Sequence, residues 1–395
     1  MSILPGATLG LLGGGQLGRM FTAAAQRMGY RVTVLDPDGD SPSSGIAERH
    51  LHAGYLDAAA LRELASTCAG VTTEFENVPA ETLRTLAKLG MTVSPEAGSV
   101  AIAQDRILEK GFITDNGFGS VPHASIRDAG DLERVARTHP ELFPGLLKVS
   151  RLGYDGRGQA PVGDMAALEC AFDHFGHVPC VLEQRLSLQT EISVIVARGF
   201  DGSVATFPVS ENRHRDGILD VSIVPAGVAP AIARQARDTA IGIAERLDYR
   251  GVLCVEFFVL AGDGSGGRLL VNEIAPRPHN SGHYTLDACV TSQFEQQLRV
   301  LCGLPLGGTA MCGAAVMVNL LGDLWRQGEP DWKGLLRHPG VKLHLYGKRV
   351  ARPGRKMGHY TVLAETAAAA LSLALEIKRE LDTHPGLEPH GLDAV

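Results

Sequence analysis

Short apolar runs alternate with polar, glycine-marked stretches along the chain, and their period sets the expected elements. Ala7–Leu12 reads as a buried strand. Gly13-Gly14-Gly15-Gln16-Leu17-Gly18 follows, then helical spacing through Met28, then a strand over Arg31–Asp36. Another apolar step leads into Thr73-Glu74-Phe75-Glu76-Asn77, and another spans Met91–Ser94. Strand and helix in alternation predict βαβ units on a mostly parallel sheet. Residues 101–125 predict a helix carrying Asp105 and Arg106, then a linker around Gly117 and Gly119. Residues 126–195 predict a small α+β unit, with strands at Leu146–Val149, Val181–Glu183 and Glu191–Val196 and a helix near Met165–Phe175. Val252–Leu260 and Leu269–Val271 flank the turn-former 262–267 and predict a hairpin. Beyond residue 310, strands near Ala314–Asn319 and Lys342–Tyr346 and an alanine-rich helix from Glu365 complete an α/β and α+β multidomain chain.

Composition narrows the class. At 395 residues, with 45% hydrophobic and 21% charged positions, the chain is an ordinary globular protein of two or three domains. A net charge of −7 gives no support for nucleic-acid binding. The seven cysteines (68, 170, 180, 254, 289, 302 and 312) are scattered without a CxxC pair, which predicts reduced thiols in the cytoplasm. No basic segment precedes the first apolar run, so a signal peptide is not expected. The longest apolar stretch, Thr309 to Leu321, is too short to span a bilayer.

The chemistry concentrates at the hairpin. Glu256 sits inside the apolar Val-Leu-Cys-Val-Glu-Phe-Phe-Val-Leu strand, where an unpaired carboxylate is costly. The second strand runs into Asn272 and Glu273, then a turn with Arg277, His279, Asn280 and His283. Two carboxylates on one face predict a divalent cation such as Mg²⁺ carried by a nucleotide phosphate; a salt bridge to a nearby arginine is the other reading. Asn272 and Glu273 are adjacent, so both reach one ligand only if the strand ends or bends there.

Other motifs point to anions. Gly13, Gly15 and Gly18 fit GxGxxG between strand and helix, with Asp36 ending the next strand. This is the dinucleotide pattern, in which glycine amides approach a pyrophosphate and Asp36 takes a ribose hydroxyl. Glu74, Glu76 and Asn77 lie at the carboxyl edge of the same sheet, where ligands bind, and equally read as a solvated strand end. Lys148 precedes Gly153-Tyr154-Asp155-Gly156-Arg157-Gly158-Gln159, a loop that opens no helix and reads as a hairpin able to fold over phosphates. The strand near Glu183, and Glu191 beyond it, offer adenine and ribose contacts or plain ion pairs. The segment from Tyr346 to His359 gathers six basic side chains, including Lys348, Arg355 and Lys356, and suits a small phosphate ester.

Taken in order, these segments resemble the ATP-grasp superfamily of carboxylate–amine ligases, and within it the N5-carboxyaminoimidazole ribonucleotide synthetase family. The signatures are Gly13-Gly-Gly-Gln-Leu-Gly-Arg19-Met20, Glu74-Phe-Glu-Asn77, Gln104-Asp-Arg106, Gly153–Gln159, Asn272-Glu-Ile-Ala-Pro-Arg277, His279-Asn-Ser-Gly-His283 and Arg352-Pro-Gly-Arg-Lys356. The resemblance implies a Rossmann-like pre-ATP-grasp domain (1–103), an ATP-grasp domain (104–308) with a mobile lid at about 126–185, and a small C-terminal domain (309–395). It implies ATP and Mg²⁺ (or Mn²⁺) as cofactors, bicarbonate and 5-aminoimidazole ribonucleotide as substrates, and a homodimer.

By the same resemblance, Arg106 and Lys148 hold ATP phosphates under the lid loop Gly153, Tyr154, Asp155, Gly156, Arg157, Gly158 and Gln159. Glu183, Gln184, Arg185 and Leu186 form the adenine hinge, Glu191 accepts the ribose, and His214 and Asn272 touch the nucleotide. Glu256 and Glu273 hold the metal. Arg277, His279 and Lys348 hold bicarbonate or carboxyphosphate. Asp155 accepts the proton of the substrate amine, with Tyr154 positioning it. Gln16, Leu17, Glu76, Asn77, Lys348, Arg355 and Lys356 hold the ribonucleotide. Leu152 stands where many relatives carry another glycine, which predicts a stiffer lid. A nicotinamide-dependent dehydrogenase would explain only residues 7–36. A formate-using glycinamide ribonucleotide transformylase would explain ATP and Mg²⁺ equally well. A non-catalytic nucleotide-binding module should lack the metal carboxylates, which are present.

Overall fold

The computed structural model describes residues 2–153, 158–261 and 267–383. Strands β1 (Thr8–Leu12), β2 (Arg31–Asp36), β3 (Arg49–His52), β4 (Gly70–Thr73) and β5 (Thr92–Ser94) form one parallel sheet in the order β3-β2-β1-β4-β5. The order reverses between β1 and β4, so a crevice opens beyond their carboxyl ends. Helix Gln16–Arg27 buries Leu17, Met20, Phe21 and Ala25 against this sheet. Helix Gln293–Leu301, from much later in the chain, packs Phe294, Leu298 and Leu301 into the same core and thereby fixes the N-terminal sheet against the rest.

A four-stranded antiparallel sheet follows, ordered β6-β9-β7-β8: β6 (His123–Ile126), β7 (Gly145–Val149), β8 (Gln159–Val162) and β9 (Cys180–Gln184). Lys148 pairs with Gln159 in the β7–β8 ladder, so the two strands flanking the glycine loop are antiparallel neighbours. Its residues Tyr154, Asp155, Gly156 and Arg157 lie outside the described residues.

The largest sheet holds β10 (Leu188–Arg198), β11 (Val204–Thr206), β12 (Ser210–Arg215), β13 (Ile218–Val224), β14 (Gly251–Leu260), β15 (Arg268–Ala275), β16 (Ala314–Leu321), β17 (Val341–Leu345) and β18 (Lys356–Ala364). Its order is β15-β14-β10-β12-β13-β16-β18-β17, with β11 paired to β10. The C-terminal strands extend this sheet through the β13–β16 ladder. That continuity carries the basic 346–356 loop back over the N-terminal domain, where Arg349 pairs with Asp40 at 3.0 Å. Among the described residues no helix is long and apolar enough to cross a membrane, and all seven cysteines are free.

Candidate active site

The first glycine loop is closed by the protein's own carboxylates. Glu74 accepts the Gly15 amide at 2.9 Å and the Gly18 amide at 3.1 Å. Asp36 accepts the Gly14 amide at 2.6 Å and the Tyr55 hydroxyl at 3.1 Å. A Cβ added at Gly15 would sit 2.7 Å from Glu74 Oε1, so this glycine is required for the carboxylate's close approach. The amides of Gly14, Gly15 and Gly18 are therefore already bonded, and Asp36 is held by a tyrosine. The dinucleotide reading is corrected on that ground, and with it the phosphate expected at these amides. Glu74 is buried rather than a solvated strand end. Burial pushes its carboxyl up, against the pull of the two amides and Arg277.

The acidic hairpin is built the other way. Glu256 faces Glu273, and the next pair is Phe257 with Val271, so Asn272 is an extra residue in β15. This β-bulge bends the strand. Adjacent Asn272 and Glu273 both line one cavity as a result. Helix Arg106–Asp115 clamps the bulge with three side chains at i, i+3 and i+4. Arg106 pairs with Glu273 at 3.0 Å, Glu109 accepts the Ile274 amide, and Lys110 donates to the Asn272 carbonyl at 2.7 Å. Burial pushes the Glu109 carboxyl up to about 8.

The two facing carboxylates do not titrate alike. Burial and the charge on Glu273 push Glu256 up. Burial acts on Glu273 in the same sense, but the Arg106 guanidinium overrides it and holds Glu273 low. Glu256 Oε1 lies 3.2 Å from His279 Nε2. The Ser281 amide points at His279 Nδ1, which makes Nδ1 the acceptor and leaves the proton on Nε2. Burial and Arg277 hold His279 well below the usual imidazole range, so it meets Glu256 as a neutral donor. The arginine salt bridge weighed from the sequence is thus present at Glu273.

The donor set also fits a divalent cation. Like-charged carboxylates face each other, and the buried Asn272 Oδ1 has no hydrogen-bond partner among the described residues. No three acidic, histidine or cysteine side chains gather as a full coordination set among those residues. An ion here would take further oxygens from a nucleotide, as Mg²⁺ characteristically does.

Both ligand halves predicted from sequence line a single cavity of about 690 Å³. From helix Arg106–Asp115 and the two antiparallel sheets come Arg106, Lys148, Gly153, Gln159, Glu191, His214, Glu256, Asn272 and Glu273. Toward the N-terminal and C-terminal segments lie Gln16, Leu17, Glu76, Lys348, Arg355 and Lys356, with Arg277 and His279 between. His214 Nδ1 is 3.0 Å from Glu191; burial opposes its charge, but Glu191 raises its pKa overall. Arg277 is ion-paired with Glu76. Lys348 donates to Gln16 Oε1 and to the Lys356 carbonyl, each at 2.6 Å.

Some expected residues are placed elsewhere. Asn77 lines a small adjoining crevice with Glu76, Arg106 and Glu273. Glu183 is buried and ion-paired with Lys110 at 3.1 Å and Lys148 at 2.6 Å, so its carboxylate does not face the cavity. The Gln184 and Arg185 amides donate to the carbonyls of Pro122 and Pro144. The adenine-hinge expectation is thereby narrowed to Leu186 and to backbone carbonyls. Leu152, at the loop entrance, is 70% exposed with φ +65°, a left-handed conformation that glycine adopts without strain.

Several contributors, among them Gln293, Asn319 and Tyr55, were not singled out from the sequence. Gln293 is fully buried and grips both backbone groups of His279, accepting its amide at 2.9 Å and donating to its carbonyl at 2.8 Å. Asn280 and Asn319 exchange side-chain hydrogen bonds of 3.0 and 2.7 Å, which lock the 279–283 turn to β16. Tyr55 and Phe75 add aromatic surface to the cavity wall. Lys110, Gln293 and Asn319 act across distant segments, and only the spacing of Lys110 from Arg106, four residues along one helix face, was available to find any of them.

Comparison with known proteins places the same segments in a known order. A family profile described as ribonucleotide synthetase preATP-grasp domain matches residues 6–104, ATP-grasp domain matches 112–294, and phosphoribosylaminoimidazole carboxylase C-terminal domain matches 315–372. The N5-carboxyaminoimidazole ribonucleotide synthase of Bacillus subtilis (strain 168) is 43% identical over 92% of this chain and 93% of its own length. The N5-carboxyaminoimidazole synthetase of Staphylococcus aureus, solved with ADP, superposes with a TM-score of 0.88 at 35% identity, covering 96% of this chain and 98% of that one. The Aspergillus clavatus enzyme, solved with ADP and 5-aminoimidazole ribonucleotide, gives a TM-score of 0.86 at 30% identity over 96% and 99%.

Proposed function

We infer the chemistry from one premise: this chain belongs to the N5-carboxyaminoimidazole ribonucleotide synthase family of ATP-grasp ligases. It is an ATP-dependent carbon–nitrogen ligase that carboxylates 5-aminoimidazole ribonucleotide in purine biosynthesis. The proposed carbon source is bicarbonate. Its oxygen attacks the γ-phosphorus of ATP, ADP leaves, and carboxyphosphate forms. The exocyclic amine then attacks that carbon, or CO₂ released from it; phosphate leaves and the amine loses a proton.

The observation that carries this reading is the single cavity lined by both the bulged acidic hairpin and the basic C-terminal loop. A ligase needs two substrates to meet in one place, and orientation alone supplies a large part of the rate. Arg106 and Lys148 are proposed to draw the nucleotide phosphates, and Glu191 and His214 the nucleoside. Arg277, His279 and Lys348 are proposed to stabilise charge on the transferring phosphoryl and carboxyl groups, which is the main catalytic need in such a transfer. Gln16, Leu17, Glu76, Arg355 and Lys356 are proposed to hold the ribonucleotide. Glu256 and Glu273 would hold Mg²⁺, whose contribution when bound is neutralisation of phosphate charge. Asp155, outside the described residues, is proposed to take the amine proton, with Tyr154 positioning it. A homodimer is proposed from the same resemblance.

The test is ADP release with Mg²⁺-ATP and labelled bicarbonate, with and without the ribonucleotide. Release that needs the ribonucleotide, with label in an acid-labile product, is the expected result. Stimulation by a different amine or acid instead would move the substrate to a sister ligase.

A further inference from the structure

Lys110 is fully buried and does not line the cavity. Its Nζ lies 3.1 Å from Glu183 Oε1 and donates to the Asn272 carbonyl at 2.7 Å. The other oxygen of Glu183 accepts from Lys148 at 2.6 Å. Only Lys148 of these three charges faces the cavity. The group is unbalanced: two ammonium charges share one carboxylate.

We propose that Lys110 is a positioning residue for Lys148, freeing it to turn to a nucleotide phosphate and tying the strand that carries Glu183 to the bulge at Asn272. Stranded charge is the physical reason. Were Lys148 the sole partner of Glu183, each move of Lys148 to a phosphate would leave a buried carboxylate unpaired, which is strongly unfavourable. Lys110 stays with Glu183 throughout, so Lys148 leaves no orphan behind. Burial alone would neutralise Glu183; the two lysines keep it ionised. The tether is geometric as well. Lys110 joins β9 of the smaller sheet to β15 of the larger one, at the residue that the bulge leaves without a partner on β14. This rests on the reading above that Lys148 holds a phosphate.

The test is steady-state kinetics on Lys110→Met, Lys148→Met and Lys110→Met/Glu183→Gln, each checked for cooperative thermal unfolding. Lys110→Met is expected to raise the KM of ATP roughly tenfold, the scale on which outer partners of a ligand-holding group act, with the ribonucleotide KM little changed. The double variant removes the carboxylate that now holds Lys148 and is expected to recover most of that loss. A purely structural role predicts that the second buried substitution makes matters worse. Lys110→Gln keeps a donor for the Asn272 carbonyl without the charge; it carries the same expectation and is used if the methionine variant does not fold. An unchanged ATP KM in the folded Lys110 variant, equal shifts for both substrates, or no recovery in the double variant overturns the proposal. An unchanged ATP KM in Lys148→Met instead overturns the phosphate assignment itself.

Discussion

A glycine turn and a strand bulge in this molecule both carry polar groups toward one cavity, yet they are finished in opposite ways. At 13–18 the donors are backbone amides, and Glu74 and Asp36 fill them from within. At 272–273 the acceptors are Asn272 and two facing glutamates, and part of that capacity is left for a ligand: Asn272 Oδ1 is unbonded among the described residues, and Glu256 meets a neutral imidazole at His279. A motif shows which groups a turn presents. Whether they bind anything depends on what the rest of the fold brings to them.

The contrast is broken most strongly at Glu273. Glu273→Gln should fold normally and lose turnover by at least about 100-fold, the scale for removing one group that stabilises transferring charge. Wild-type turnover at saturating Mg²⁺ would refute the metal assignment. At the closed turn the expected loss is in stability. Glu74→Gln cannot accept both amides as the carboxylate does, and should cost about 1–3 kcal/mol in denaturant unfolding with the KM of ATP unchanged. An unaltered unfolding midpoint would show that the turn is not held by Glu74.

Smaller effects sharpen the picture. Lys356→Ala should raise the ribonucleotide KM by roughly tenfold, as for loss of one charged contact, and affect ATP less; equal effects would remove Lys356 from the phosphate site. His214 supplies the smallest change. Its pKa is raised in the folded protein by Glu191, despite burial. The pair's stabilisation is therefore complete below the unfolded imidazole pKa and fades as pH rises through the raised folded value. Comparing His214→Gln with the parent across that range should show a deficit under about 1 kcal/mol at the acid end, vanishing at the alkaline end. A pH-independent difference would exclude the ion pair.

Much of the fold was legible because it is local. The alternation through residue 94 forms the parallel sheet, and Gly262–Gly267 does separate two strands of an antiparallel hairpin. The bulge was legible only as a requirement: adjacent Asn272 and Glu273 had to bend to share a ligand, and the extra residue in the ladder supplies that bend. The closure of the glycine loop was not legible, because Glu74 reaches it from 56 or more positions away. The ion pairing of the Glu183 side chain was not legible for a related reason, since its lysine partners come from a helix and a strand well removed in sequence.

The most direct test of the contrast is Mn²⁺ binding followed by electron paramagnetic resonance, with and without ADP, in the parent, Glu273→Gln and Glu74→Gln. Nucleotide-dependent Mn²⁺ binding is expected in the parent and in Glu74→Gln, and its loss in Glu273→Gln. Binding that survives in Glu273→Gln but disappears in folded Glu74→Gln would place the ligand chemistry at the glycine turn and contradict that contrast.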